Sequence, residues 1–133
     1  MRIPKLRTVL YANTAFSAIS GALMLVFSGW IAERVLDFPS IVYLLMGAGL
    51  LGFAAAVFYV AQTVPANMTM ARVVLWADIS WVLVTPVVIL LLADRLTSLG
   101  SLLLIDIALI VAALAVFEGL AIKAEAARAI SVD

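Results

Sequence analysis

The stretch Ala71–Ala93, ARVVLWADISWVLVTPVVILLLA, contains only two charged residues, Arg72 and Asp78. A helix needs about 20 consecutive, mostly apolar residues to cross the hydrocarbon core of a bilayer. This stretch meets that requirement, so we predict that it forms a transmembrane helix. The whole chain has a matching composition, with 67% apolar and 12% charged residues. Soluble domains carry about a quarter charged residues, so we expect most of this protein's surface to face lipid.

Three further apolar stretches of similar length surround the first, at Thr8–Phe27, Ile41–Gln62 and Ser101–Ile122. A short helical tail is expected to follow at Lys123–Asp133. The four stretches use most of the chain and leave no room for a separate soluble domain. The sequence therefore predicts an all-α, polytopic membrane protein, with a single membrane domain over residues 1–133 formed by a bundle of four transmembrane helices.

The chain also contains an internal repeat. When the sequence is shifted by 65 residues, Arg7–Asn13 aligns with Arg72–Asp78. Each segment begins with arginine and ends with an aromatic residue, alanine and Asn or Asp, and another aromatic residue lies three positions later. We predict repeat A at residues 7–62 and repeat B at residues 72–123, each an αα-hairpin. Repeats with an even number of spans are parallel, related by an axis along the membrane normal.

The positive charges are unevenly distributed over the predicted loops and tails. Six of the eight basic residues would lie on one side of the membrane: Arg2, Lys5, Arg7, Arg72, Lys123 and Arg128. Only Arg34 and Arg95 would lie on the other side. Because loops rich in Lys and Arg stay in the cytoplasm, we predict a multi-pass protein of the inner (plasma) membrane with both termini cytoplasmic.

Polar residues inside the predicted spans are the candidates for a functional site, since each is costly in lipid unless it has a partner. Asn13, Asp78 and Glu118 are predicted to share one layer near the cytoplasmic side. Trp81 and Thr85 follow Asp78 on the same stripe of its helix. These five residues are therefore the candidates for a ligand- or proton-handling site.

Two interpretations of this layer remain open. In the first, Asn13 and Asp78 form an interhelical hydrogen bond worth about 0.6–2 kcal/mol. Glu118 then extends to the membrane interface or pairs with Arg72. In the second, Asp78 and Glu118 are buried carboxyl groups that bind and release a proton.

Two further residues in the spans have structural explanations. Asp106 is expected near the outer end of its helix, in an ion pair with Arg95 or Arg34. Pro86 lies in the middle of the third span and removes one backbone donor, which predicts a kink. The kink is either tolerated by packing or creates a cavity or hinge beside it.

Several classes of function are excluded by composition. Cysteine and histidine are both absent, which excludes disulfides, thiol chemistry and Cys- or His-bound metals and haem. We therefore expect no catalytic residues, metal site or cofactor, and a protein that is not an enzyme. The formal net charge is +0, so nothing predicts binding to nucleic acid.

Small residues recur at four-residue spacing on three helices. The patterns are Ser17-x-x-x-Gly21, Ala48-x-x-x-Gly52-x-x-x-Ala56 and Ala115-x-x-x-Gly119. Such spacing lets helices approach closely. The leading hypothesis is a non-enzymatic accessory or scaffolding subunit that packs against other membrane proteins, or against copies of itself, in the lipid bilayer. The alternative is a small proton-coupled transporter or channel that uses Asp78 and Glu118 as its titrating carboxyl groups.

Overall fold

The computed structural model describes residues 5–132, with side chains for residues 5–130. Arg2, which contributes to the predicted charge bias, lies outside the described residues. That part of the chain forms five α-helices and no strand. The helices are α1 (Leu6–Val26), α2 (Ser28–Arg34), α3 (Ser40–Thr63), α4 (Met68–Leu91) and α5 (Ser98–Val132).

Four of these helices, α1, α3, α4 and α5, are long and apolar enough to cross a membrane. The prediction of an all-helical chain with four spans is thus confirmed. At most 28% of the residues in the apolar segment of any span are buried inside the bundle. The remaining apolar side chains need a lipid environment, because water would solvate them at high cost. These features indicate a membrane protein.

The short helix α2 was not predicted. The chain leaves helical geometry at Phe27 and resumes it at Ser28, with the Ile31 N–H donating to the Phe27 carbonyl at 2.9 Å. The Arg34 guanidinium lies 5.6 Å from the centre of the Trp30 ring, one turn earlier. This cation–π contact stabilises a helical turn that was predicted to be the start of a loop.

The helical tail predicted after the fourth span forms the end of α5. The helix runs without a break through the expected tail to Val132. After Gly119 the sequence contains neither Gly nor Pro, and it is rich in Ala, Glu, Lys and Arg, which favour helix. An ion pair of 2.9 Å between Arg128 and Glu125, three residues apart, further supports the last turns.

The helices pack unequally against one another. α1 packs most extensively against α3, and α4 against α5, while α1 also contacts α5 and α3 contacts α4 more sparsely. α1 and α4 share few close backbone contacts. The division of the chain into two equivalent repeats stays a prediction.

The contact between α1 and α3 depends on two glycines. A Cβ atom on Gly21 would lie 2.8 Å from the carbonyl oxygen of Gly47, and a Cβ on Gly47 would lie 2.8 Å from that of Gly21. Both distances are too short for real Cβ contacts. The two backbones therefore touch directly, which only residues without a side chain permit.

The buried apolar core lies at one end of the bundle, where α1 and α4 begin. We call this the basic end, after Lys5, Arg7, Arg72 and Lys123. The core cluster consists of Leu6, Leu10, Val57, Val60, Ala61, Val64, Ala71, Val74, Ala121 and Ile122.

Arg7 completes the end of α3 beside this core. Its guanidinium donates to the carbonyl oxygens of Ala61 at 3.0 Å and Val64 at 2.8 Å. The Ala61 carbonyl has no helical partner, because the residue four positions later is Pro65, which has no N–H. The arginine thus supplies the donor that the proline lacks.

The opposite end is held by the clasp, which we define as the segments Arg34–Asp37 and Arg95–Thr97. Leu36 and Leu96 face each other in an isolated antiparallel bridge. The backbone bonds run from the Asp37 N–H to the Arg95 carbonyl (3.2 Å) and from the Thr97 N–H to the Val35 carbonyl (3.1 Å). The clasp joins the connection before α3 to the connection before α5.

Thr97 and Gly100 complete the clasp. The Thr97 hydroxyl donates to the Arg34 carbonyl at 2.5 Å and accepts a bond from the Gly100 N–H at 2.9 Å. A Cβ on Gly100 would overlap the carbonyl oxygen of Val35. Glycine is therefore required where α5 passes beneath the first segment of the clasp.

We predict that Gly47→Ala destabilises the bundle by about 1–3 kcal/mol, because the added methyl group has to push the α1 backbone away. The matched control is Gly52→Ala, also on α3, where an added Cβ meets no atom within 4 Å. This control should be neutral or slightly stabilising, since alanine favours helix more than glycine does. Reversible unfolding in mixed detergent micelles measures both. Equal stability of the two variants would contradict the close contact.

Candidate functional site

The polar cluster is centred on the side-chain amide of Asn13. Its Nδ2 donates to Oδ2 of Asp78 at 2.6 Å and to Oε1 of Glu118 at 2.7 Å. An amide nitrogen has two N–H groups, so each carboxyl group accepts one of them. Asn13 lies on α1, Asp78 on α4 and Glu118 on α5, and the cluster therefore connects three of the four spans.

Ser17 completes the cluster and was missing from the predicted site. Its hydroxyl donates to Oδ1 of Asn13 at 3.1 Å. The two residues are one turn apart on α1, a spacing that could have identified Ser17 from sequence. Because Oδ1 is occupied by this bond, the amide presents its nitrogen to the two carboxyl groups.

All the members of the cluster are buried. The exposed fraction is 0% for Glu118, 1% for Asn13, 4% for Ser17 and 6% for Asp78. Oε2 of Glu118 is also enclosed, and it has no hydrogen-bond partner among the described residues. The expectation that Glu118 extends to the membrane interface or pairs with Arg72 is wrong, since its side chain turns inward to the Asn13 amide.

Within the described part of the chain, no ion pair balances the charge of the two carboxyl groups. Neither Asp78 nor Glu118 takes part in an ion pair with any residue between 5 and 130. Both groups accept from the same nitrogen atom, so they lie side by side. Two adjacent carboxylates repel each other, and burying uncompensated charge in a membrane is costly. A proton bound to one of these oxygens would remove half of that charge.

Two of the predicted site residues lie away from the cluster. The Thr85 hydroxyl is buried but donates to the Trp81 carbonyl of its own helix at 2.8 Å. Thr85 is seven residues from Asp78, about 10 Å along α4. The Trp81 side chain is 37% exposed on the surface of the bundle. The structure thus brings together Asn13, Asp78 and Glu118 but neither Trp81 nor Thr85.

Asp106 has a different environment from the one expected. Its side chain is exposed, and it forms no ion pair with the residues that the structure describes. Arg34 instead pairs with Glu33 at 3.5 Å, and the Arg95 guanidinium lies 5.4 Å from the centre of the Phe38 ring. Asp106 is therefore separate from the polar cluster.

Pro86 lies inside α4, which is continuous from Met68 to Leu91. It lines an apolar groove of about 450 Å³ between α4 and α5, together with Thr85 and Ala112. The groove lies beside Pro86, where a cavity was one of the two expectations. Its walls are almost entirely hydrocarbon, and the Thr85 hydroxyl beside it donates to the Trp81 carbonyl.

Comparisons with known proteins add no further assignment, because no family model, no curated protein and no solved structure matches this chain. The function has to be inferred from the geometry and charge of the cluster.

We predict that Asn13→Ala destabilises the bundle by about 1–3 kcal/mol, because it leaves two buried carboxyl groups without their donor. The control is Thr14→Ala on the same turn, which removes a hydroxyl that donates only to the Leu10 carbonyl at 3.0 Å. This control should change stability by less than about 0.5 kcal/mol. Detergent unfolding compares the two. Similar losses in both variants would contradict the central place of the amide.

Proposed function

We propose that this chain is a small, non-enzymatic proton-coupled transporter or channel. In this proposal Asp78 and Glu118 bind the proton, and Asn13 holds the two groups together. The supporting observation is that one amide nitrogen donates to two buried carboxyl groups that have no balancing cation among the described residues. Ionisable side chains inside membrane bundles characteristically belong to proton and ion pathways.

A purely structural role explains less of the cluster. An interhelical hydrogen bond needs one donor and one acceptor, and a second amide in place of Asp78 would supply the acceptor without a charge. The cluster instead contains a second carboxyl group, and Glu118 Oε2 has no partner among the described residues. This arrangement costs stability, so we infer that it is retained for what the carboxyl groups bind.

The chemistry of the site follows from its charge. A proton that binds to a carboxylate oxygen of Glu118 or Asp78 changes the net charge of the cluster from −2 to −1. The new O–H donates to the neighbouring carboxylate, which relieves the repulsion between them. Release of the proton restores the repulsion and favours separation of α4 from α5. Proton binding would thereby be coupled to helix movement.

The orientation of the protein is part of this proposal. The basic end carries Lys5, Arg7, Arg72 and Lys123, and the positive-inside rule assigns such an end to the cytoplasm. We therefore propose an inner (plasma) membrane location with both termini cytoplasmic. The clasp then faces the other side of the membrane.

We predict that Asp78→Asn and Glu118→Gln each reduce proton flux to that of protein-free liposomes, because neither amide can bind the proton. Flux is measured with a pH-sensitive dye enclosed in liposomes that contain the purified protein. The control is Asp106→Asn, which neutralises an exposed carboxyl group on α5 and should leave the flux unchanged.

Both site variants should keep the fold, since the new amides still accept a hydrogen bond from Asn13. Thermal unfolding in detergent verifies this. Flux that persists in a folded Asp78→Asn, Glu118→Gln double variant would overturn the proposed function.

A second candidate function is the accessory or scaffolding subunit, favoured by the outer face of α3. Ala48, Gly52 and Ala56 are all exposed there. A Cβ on Gly52 or on the adjacent Gly49 would meet no atom within 4 Å. This flat strip gives another transmembrane helix room to approach the α3 backbone closely.

If this strip binds another membrane protein or a second copy, Gly52→Leu should abolish the complex by native mass spectrometry of gently extracted membranes. The leucine side chain would hold the approaching backbone away. The control is Val84→Leu, which enlarges an exposed side chain (52%) on α4 and should leave the complex intact. A wild-type protein that is monomeric in both lipid and detergent would argue against the accessory role.

A further inference from the structure

The two ends of the bundle are separated from the polar cluster by different barriers. All ten residues of the buried apolar core lie on the basic-end side of the cluster. On each of the helices that carry Asn13, Asp78 and Glu118, the next turn toward the basic end buries an apolar side chain. These side chains are Leu10 (0% exposed), Val74 (4%) and Ala121 (1%). The residues that lie next to the cluster on the basic-end side are therefore buried and apolar.

In the opposite direction the same three helices bury mostly small or hydroxyl-bearing side chains. The buried ones are Ser17, Gly21, Thr85, Gly100 and Ala115, and Ser20 is half-buried. Val111 is the largest buried side chain that α1, α4 and α5 contribute on this side, among the described residues. Hydroxyl groups can donate and accept hydrogen bonds, so this region, which we call the hydroxyl seam, offers polar groups that the core at the basic end lacks.

Among the residues that the structure describes, no other titratable side chain is hydrogen-bonded to the cluster. Asp78 is the only titratable side chain that α4 contributes to the cluster among the described residues. α1 contributes Asn13 and Ser17, which are not titratable. α3 has no acidic or basic residue in its sequence. Its two tyrosines are engaged elsewhere, since the Tyr43 hydroxyl donates to the Leu36 carbonyl and Tyr59 is 61% exposed. Apart from the two carboxyl groups themselves, the polar side chains bonded within the cluster are therefore an amide and a hydroxyl.

From these features we infer that the polar cluster exchanges its proton with the clasp end, through the hydroxyl seam, and that the clasp is the gate of this route. The inference rests on the proposed function. The proposed direction is the longer of the two, because Asn13 is about 10 Å from the start of α1, at the basic end, and about 20 Å from the other end of this helix. In this inference, the kind of side chain between the cluster and each end, rather than the distance to that end, determines the direction of proton exchange.

The clasp is suited to act as the gate. It is held by backbone hydrogen bonds between two connecting segments and by the Thr97 hydroxyl. Arg34, Asp37, Arg95 and Thr97 are all exposed. Segments with few buried apolar contacts and exposed hydrogen bonds open more readily than a packed core. The clasp can thus open while the core at the basic end stays closed.

Cysteine labelling tests the route directly, because the natural chain contains no cysteine. Four single-cysteine variants are reconstituted in liposomes: Ser20→Cys and Thr85→Cys in the hydroxyl seam, and Leu10→Cys and Val74→Cys in the core. A membrane-impermeant methanethiosulfonate reagent is then added outside. Glu33→Cys and Lys123→Cys, exposed at the clasp end and the basic end, report which end faces the reagent.

We expect the two seam cysteines to react from the clasp end and the two core cysteines to stay unreactive from both ends. Reaction of Leu10→Cys or Val74→Cys from the basic end would overturn the inference. So would the absence of reaction at both seam positions.

The gate is tested by adding a second substitution to Ser20→Cys. Thr97→Ala removes the hydroxyl that bonds to Arg34 and Gly100, and should speed labelling several-fold. Thr97→Ser keeps the hydroxyl and should leave the rate unchanged. Equal labelling rates with Thr97→Ala and with the parent would overturn the clasp as the gate.

Labelling does not depend on proton flux, so the two proposals can fail separately. A labelled seam together with normal flux in the folded Asp78→Asn, Glu118→Gln variant would retain the route but overturn proton binding by the cluster. Flux that requires both carboxyl groups, with no labelling of the seam, would retain proton binding but overturn the route.

Discussion

One amide nitrogen, Nδ2 of Asn13, connects three of the four spans through its bonds to Asp78 and Glu118. In lipid no water is available to replace a lost partner, so a polar side chain inside a span has to be paired by the protein. At this depth α1, α4 and α5 are therefore linked by a single side chain. The remaining span, α3, is held against α1 by a different interaction, the direct backbone contact of Gly21 with Gly47.

These two constraints divide the bundle into zones with different properties. The apolar core at the basic end and the arginine that completes α3 make one end rigid. The polar cluster lies at the border of that core, and beyond it the packing depends on small side chains and a hydrogen-bonded clasp. A site for an exchangeable proton requires one barrier that stays closed and one that can open. An accessory subunit would need only the exposed strip on α3.

Much of this arrangement could be predicted from sequence, for identifiable reasons. The four spans follow from the length of the apolar stretches, and the shared depth of Asn13 and Asp78 follows from their equal distance beyond an arginine. Depth along a helix does not reveal which side faces the bundle, however. For that reason Glu118 was expected at the interface and Trp81 in the site, whereas the first is enclosed and the second is exposed. Ser17 could have been found from its one-turn spacing to Asn13, whereas the clasp depends on tertiary contacts that periodicity alone does not encode.

The central claim is that the cluster of two carboxyl groups and one amide binds an exchangeable proton. Infrared spectroscopy of the protein in lipid, recorded over a range of pH, tests it most directly when the spectrum of Glu118→Gln is subtracted from that of the wild type. The account predicts that the difference contains a carboxylic-acid C=O band that disappears as the pH is raised. A difference spectrum without such a band at any pH, or with a band that never changes, would contradict the account.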